Sequence, residues 1–297
     1  MRLGYIFQGY FKYENGKGTK YYDKNMIGSN VWDIPENSTI FAYWTLESYI
    51  IRLQYENGSS SYTPILVTYS CDMPENIPSP TRDGYVFKGY YSGENGSGKK
   101  YYNADMTSAN KWDIPGVIDL FACWESNTYT ITFDKQGGRG GSSSVTVTYN
   151  ATMPQNVTAP TKSNYDFMGY YDTMGQTMYY DSNMKSVRNW DKQSGATLVA
   201  HWQGKHYAIE YRYIEFMGKT AQLFIDGTLS SAPYYYEYGV GLELSRVTAL
   251  SYHSTPYTPH LVFLGWYNDE DLTEKATYIS TLDTGKKVFY AKWRYDY

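Results

Sequence analysis

The sequence predicts a β-rich α+β chain made of small modules in tandem, and three observations carry that prediction. A glycine–tyrosine segment stands at Gly84-Tyr85-Val86-Phe87-Lys88-Gly89-Tyr90, at Gly4-Tyr5-Ile6-Phe7-Gln8-Gly9-Tyr10, at Asn164-Tyr165-Asp166-Phe167-Met168-Gly169-Tyr170 and, altered, at Leu261-Val262-Phe263-Leu264-Gly265-Trp266-Tyr267. Each copy is followed by a closing segment that ends in Trp44, Trp124, Trp202 or Trp293. The chain carries 36 tyrosines and 8 tryptophans, rings that suit half-buried pleated surfaces. The recurrence divides the 297 residues into a half-module at 1–45, complete modules at 46–125 and 126–203, and a divergent terminal module at 204–297.

Residues 1–45 read as the second half of a module: a strand over Tyr5–Phe11, an Asn15-Gly16 hairpin turn, a short extended stretch at Lys20-Tyr21-Tyr22, and a last strand through Ile40–Trp44. With no first-half strands of its own, this piece is expected to leave apolar surface and strand edges uncovered and to be the least ordered region unless it packs on the next module. It also reads as a chain that begins inside a module, as an excised piece of a larger protein would, with a natural and tolerated start as the alternative.

Residues 46–125 show what a complete module contains. Tyr49–Tyr55 and Ile65–Tyr69 are strands joined by a polar turn, and Asp72–Pro78 holds at most one or two helical turns, entered at Pro74 and ended by Pro78 and Pro80. The glycine–tyrosine strand follows. Residues 126–203 repeat this order, with Tyr129–Phe133, Val145–Tyr149, Met153-Pro154 and Ala159-Pro160 in the matching places. Gly9 to Tyr21 and Gly89 to Tyr101 are 12 residues apart, whereas Gly169 to Tyr179 is 10; Trp32 to Trp44, Trp112 to Trp124 and Trp190 to Trp202 are all 12 apart. The length change is thus confined to a hairpin tip, where no strand register is disturbed. In 204–297, Ala221–Gly227 reads as a strand into a turn, and Val240–Ala249 fits either a helical or an extended element.

Net charge is −4, with signs mixed and no basic patch, which argues against a nucleic-acid partner. No run of 18 apolar residues occurs, so the segment holds no membrane span, and Met1-Arg2-Leu3 leads into the first motif without an apolar leader. Cys71 and Cys123 do not recur in other modules; two buried or half-buried thiols are favoured, with a single bond between them left open.

Candidate site residues are few. Gly9, Gly89, Gly169 and Gly265 read as clearance or bulge positions rather than a phosphate cradle, since no Gly-rich loop runs into Lys-Ser/Thr. Tyr22-Asp23, Tyr102-Asn103 and Tyr180-Asp181, with Trp32-Asp33, Trp112-Asp113 and Trp190-Asp191, suggest oxygen ligands for calcium, but turn capping explains them better. His201 sits at a variable strand position, and His206, His253 and His260 do not form a zinc set. The serines lack a nucleophile elbow, and an 80-residue module offers carboxylates no cleft. No catalytic, cofactor or metal residue is therefore assigned, and the chain is read as non-enzymatic. Tyr234, Tyr235, Tyr236 and Tyr238 are the candidate ligand or partner surface, because consecutive rings on a strand cannot all point inward.

The order strand, polar turn, strand, Pro-bounded linker, glycine–tyrosine segment and closing Trp strand resembles the Listeria–Bacteroides repeat, the B-repeat of internalin-type surface proteins. Val262–Tyr267 and Val288–Trp293 carry the likeness most fully, whereas Tyr10, Tyr90 and Tyr170 stand where the family has Trp. The resemblance implies a small β-grasp-like module, a roughly four-stranded sheet with a short helical crossover, strung in an elongated array. It makes Phe7, Phe87, Phe167 and Phe263, the four glycines above and the four closing tryptophans the structural signature. It further implies an extracellular, cell-surface stalk or adhesion segment. The expected molecule is a monomer whose partners are a host or bacterial surface protein or a glycan. The alternative is a carbohydrate- or protein-binding module that uses the exposed rings of the last repeat.

Overall fold

The computed structural model describes residues 1–56, 58–212, 222–225, 233–244, 247–250 and 260–296. By internal packing the chain forms two compact units. The first is Met1–Tyr129 with Thr148–Asn150 and Asp191–Ser194; the second is Thr130–Val147, Ala151–Trp190 and Gly195–Tyr297.

The half-module is a three-stranded sheet in the order β2-β1-β3, from β1 (Tyr5–Tyr13), β2 (Lys17–Tyr22) and β3 (Phe41–Leu46). The next module comprises β4 (Ser48–Gln54), β5 (Tyr62–Thr68), β6 (Tyr85–Tyr91), β7 (Lys100–Tyr102) and β8 (Asp119–Ser126), a five-stranded sheet in the order β5-β4-β8-β6-β7. The same order recurs as β10-β9-β13-β11-β12, from β9 (Thr128–Asp134), β10 (Ser144–Thr148), β11 (Tyr165–Tyr171), β12 (Met178–Tyr180) and β13 (Thr197–Gly204). The terminal module contributes β14 (His206–Arg212), β15 (Gln222–Ile225), β16 (Tyr235–Glu237), β17 (Leu242–Glu243), β18 (Val247–Leu250), β19 (His260–Tyr267), β20 (Lys275–Ala276), β21 (Tyr278–Ile279) and β22 (Lys287–Asp296). Its main sheet runs β16-β14-β22-β19-β20, beside the pairs β15-β18 and β17-β21. Within Val240–Ala249, Leu242–Glu243 and the residues from Val247 are extended, Val240 lies in a turn and Leu244 is in 3-10 conformation; residues 245–246 lie outside the described residues.

Each complete module closes through one parallel pairing. Leu53 lies opposite Leu120, Phe133 opposite Leu198 and Tyr211 opposite Phe289, so first and last strands meet at the sheet centre and put their apolar alternation on one face. In the first complete module that face buries Ile51, Leu53, Ile65, Val67 and Met73 against Tyr90, Tyr102, Met106, Trp112 and Leu120.

The short helical crossover, and with it the β-grasp-like description, does not hold. Between β5 and β6, and between β10 and β11, no residue is helical; the 3-10 positions among the described residues are the turns Glu14–Gly16 and Glu94–Gly96, both at hairpin tips, and Leu244. The link between β5 and β6 is irregular for a physical reason. Met73, Ile77 and Ser79 each precede a proline, which disfavours the α region, and Ser70 (φ 63°) and Asn76 (φ 60°) are left-handed. No four successive residues remain free to close a helical turn, so backbone groups are satisfied across the module: Ser70 N–H donates to Trp112 O (2.6 Å) and Trp112 N–H to Cys71 O (2.9 Å). Complete modules also hold five sheet strands rather than about four.

Candidate functional site

The recurring segment is built the same way in all four modules. The phenylalanine of the glycine–tyrosine strand pairs with the closing tryptophan across the ladder: Phe7 with Trp44 at 5.0 Å between ring centroids, Phe87 with Trp124 at 5.4 Å, Phe167 with Trp202 at 5.4 Å and Phe263 with Trp293 at 5.3 Å. In each ladder the register slips by one residue between that phenylalanine and the glycine two places on, a β-bulge. Gly9, Gly89, Gly169 and Gly265 carry φ between 127° and 132°, which favours glycine. At the first three a Cβ would also fall within 2.4 Å of the carbonyl oxygen of Tyr22, Tyr102 or Tyr180; at Gly265 the nearest atom is the mobile end of Lys275. These residues hold the sheet.

The tyrosine–aspartate pairs are likewise structural. Tyr21 donates to the Asp33 carboxylate and Tyr101 to Asp113 (2.6 Å). That hydrogen bond is the main reason the Tyr21 hydroxyl is pushed up to about 12, whereas burial is the main reason the Tyr101 hydroxyl is raised. Asp23 accepts from the amides of Asn25 and Ile27, and Asp181 from those of Asn183 and Lys185, as turn caps do. Among the described residues no group of three or more His, Cys, Asp and Glu side chains converges as metal ligands would. His201 stacks on Tyr171 at 4.1 Å, and His206 lies 3.9 Å from Glu237; His253 lies outside the described residues. Cys71 and Cys123 are free and half-buried.

Tyr234–Tyr238 is divided by the strand alternation of β16. Tyr234 and Tyr235 are exposed (57% and 63%), while Tyr236 is buried and donates to Gly285 O (2.7 Å). Tyr238 is half-buried, edge-on against Tyr165 at 5.2 Å. Nearby in sequence, a shallow depression is lined by Val240, Leu242, Glu243 and Tyr278.

The Tyr238–Tyr165 contact is one of three equivalent joints. Tyr69 stands edge-on to Tyr5 at 5.7 Å, and Tyr149 edge-on to Tyr85 at 5.6 Å. The backbone repeats with them. Glu47 N–H donates to Gly4 O and Tyr69 N–H to Glu47 O; Asn127 N–H donates to Gly84 O and Tyr149 N–H to Asn127 O; Lys205 N–H donates to Asn164 O and Tyr238 N–H to Lys205 O, all within 2.8–3.0 Å. A cation covers the outer face of each first ring: Arg2 over Tyr5, Arg82 over Tyr85 and Lys162 over Tyr165, at 3.8, 4.0 and 4.5 Å from the centroids. The sequence carries a signal for the first two, since Tyr69 and Tyr149 keep the same separation as Gly4 and Gly84.

Comparison with known proteins agrees with this architecture. A protein described as a Gly-rich membrane protein of Evansella cellulosilytica is 24% identical over 98% of this chain, and a second membrane protein of that organism is 24% identical over 86% of it. The chain spans 31% and 33% of the lengths of these relatives, about a third of each. Internalin H of Listeria monocytogenes is 36% identical over 32% of this chain and 15% of its own length. The Listeria-Bacteroides repeat domain model matches residues 49–112, 129–201 and 244–292, more than half of the chain. The chain, with its bulged glycine–tyrosine strands and closing tryptophans, belongs to the Listeria-Bacteroides repeat domain family.

Proposed function

We propose that this non-enzymatic repeat array is a stalk and adhesion segment of a bacterial cell-surface protein, holding a binding domain away from the surface or meeting a neighbouring cell. The observation that carries the reading is the joint. Three times a module's leading tyrosine is capped by a tyrosine that follows the fifth, tenth or sixteenth strand, with the same pair of backbone hydrogen bonds and a cation over the ring. A spacer needs such a head-to-tail contact, and each module then rests mainly on its neighbours. Kinship with Internalin H supports placement outside the cell. Small-angle scattering of chains with one to four modules tests it. A spacer gains a constant increment in maximum dimension per module; a maximum dimension that grows only as a compact globule does overturns the proposal.

A second reading rests on Tyr234 and Tyr235, whose rings stand exposed at the edge strand β16. Such rings can stack on sugars or seat a surface protein. Glycan-array binding lost in Y234S/Y235S supports it, and array and pull-down silence of the unaltered chain sinks it.

A further inference from the structure

Among the described residues of the five-stranded sheets, β10 is the edge that nothing blunts. The sheets end in β5 and β7, in β10 and β12, and in β16 and β20. Natural sheets protect such edges by shortness, proline, charge or irregular pairing. β7, β12, β16 and β20 are only two or three residues long, and β7 and β12 also slip in register against their neighbours. β5 is long but carries Pro64. Tyr69 N–H donates to Glu47 O and Tyr55 N–H to Ser61 O, so the odd-numbered residues of β5 face β4, and Pro64 removes an N–H from the free side. β10 has the same geometry without the proline. Phe133 N–H donates to Ser143 O (2.9 Å) and Tyr149 N–H to Asn127 O (2.8 Å), so Ser144, Thr146 and Thr148 turn their N–H and C=O groups outward. The chain closes this edge only one step earlier, where Ser142 N–H donates to Thr158 O and Thr158 N–H to Ser142 Oγ, both at 3.0 Å. Ser144 stands where β5 has Pro64, and no Lys, Arg, Asp, Glu or His occurs from 140 to 161, although 19% of the chain is charged. On the core face Val147 is sealed but Val145 is only half-buried.

We propose that β10 is a self-pairing edge whose occupant is β10 of a second copy of this chain, antiparallel about a twofold axis at Thr146. Three features select a second copy over an unrelated strand. Ser144-Val145-Thr146-Val147-Thr148 reads nearly the same in both directions, so a twofold pairing sets Thr146 against Thr146, Val145 against Val147 and Ser144 against Thr148. The centre of that near-palindrome is a residue whose backbone faces outward, as a hydrogen-bonded pair on the axis requires. The outward groups of the three polar residues then form about six backbone hydrogen bonds. Neutrality completes the match, because a twofold axis brings each charge near its own copy and this stretch has none to repel. The side-chain pairing that results already exists in the molecule: Thr132 Oγ1 and Thr197 Oγ1 lie 2.9 Å apart across the β9–β13 ladder. The contact covers Val145 and joins the two sheets into one, and it departs from the monomer expected of the sequence. A surface segment would use it to meet a like chain side by side, a consequence that rests on the stalk reading although the pairing itself does not.

The test follows sedimentation and amide exchange of the intact chain from about 1 µM to about 1 mM, where so small an edge is expected to give a reversible dimer with a Kd of about 0.1 mM. Protection of the outward Thr146 amide is expected to rise with concentration, while that of Val147, which faces β9, stays constant. Ser144→Pro copies the proline that the preceding module accepts at this place. It is expected to weaken the dimer at least about tenfold and to leave exchange in β9 unchanged. Thr146→Lys and Thr146→Glu each set like charges together on the axis and are expected to weaken it about tenfold, whereas an equimolar mixture of the two returns to within about threefold of the unaltered chain. That rescue requires residue 146 to lie against itself. A chain that stays monomeric throughout, a dimer that Ser144→Pro leaves unchanged, or a mixture without rescue overturns the proposal. So does a Thr146 amide protected equally at every concentration, which would place a strand of the same chain on the edge. Failure here leaves the scattering increment per module, read at dilution, untouched.

Discussion

The half-module and the module that follows it share the motif, the bulge and the ring pairs, yet only one of them has a sealed core. Phe7–Trp44 and Phe87–Trp124 meet at nearly the same distance, and Tyr21 and Tyr101 are both buried. Trp32 and Trp112 separate the two, at 48% and 0% exposure. The glycine–tyrosine half of a repeat therefore shapes a sheet by itself, while the dry interior comes from the hairpin half. Truncating the tryptophan is the strongest way to break the comparison. Trp112→Ala is expected to cost about 3–5 kcal/mol and Trp32→Ala less than about 1 kcal/mol. Local amide exchange in each module is the suitable readout, because two compact units need not unfold in one step. Equal costs at the two positions would show that the half-module is covered in solution.

A change at the bulge should abolish the difference. Gly9→Ala and Gly89→Ala meet the same obstacle, a left-handed φ and a carbonyl oxygen 2.1 or 2.2 Å from the added carbon. Both are expected to destabilise their own sheets by about 1–3 kcal/mol or more. Gly265→Ala has the same φ but meets only the side chain of Lys275, so its cost is expected to be the smallest of the three. Urea midpoints of the three variants, read by exchange at their own ladders, check the ranking.

Much of this was legible in the sequence, and the exceptions have physical causes. Equal spacing from Trp32, Trp112 and Trp190 to the closing tryptophans reported an undisturbed register, and the structure has matching ladders there. The apolar surface left by the half-module followed from its missing strands. The helical crossover was misread because Pro74 suits a first helical turn, and the left-handed Ser70 and Asn76 on either side of it leave no signature as plain as a glycine's. The joints escaped because Tyr69 and Tyr149 lie at strand ends, outside the aligned motifs, and their partners are in another repeat. At Tyr234–Tyr238 alternation foretold that some rings point out, but the inward place of Tyr236 depends on pairing with β14.

The joint also bears on the comparison, since it is how the half-module rests on its neighbour. Tyr69→Leu keeps apolar volume but removes the edge-on ring contact with Tyr5, for which about 0.5–1.5 kcal/mol is expected. The loss should fall on the β1 and β3 amides and spare β6–β8. If exchange quickens equally in all of them, the joint is not a separate element of stability and the stalk reading loses its main support.

The smallest effect expected is one of titration, and it separates the two modules by cause. Tyr21 and Tyr101 each donate to the aspartate twelve residues on, and both hydroxyls are raised. For Tyr21 the bond to Asp33 is the largest cause; for Tyr101 burial is. Because the folded state holds the phenol proton more tightly than the unfolded chain, this stabilisation is whole below pH 10.0 and is lost as pH rises towards about 12. Asp33→Asn should therefore return Tyr21 towards its ordinary value, narrowing that window, while Asp113→Asn should leave Tyr101 raised, because the hairpin still covers it. Phenolate absorbance followed through an alkaline titration of the two variants reads this directly. Tyrosines that fall back equally in both would mean the hairpin contributes nothing to the Tyr101 environment, against the burial seen around Trp112.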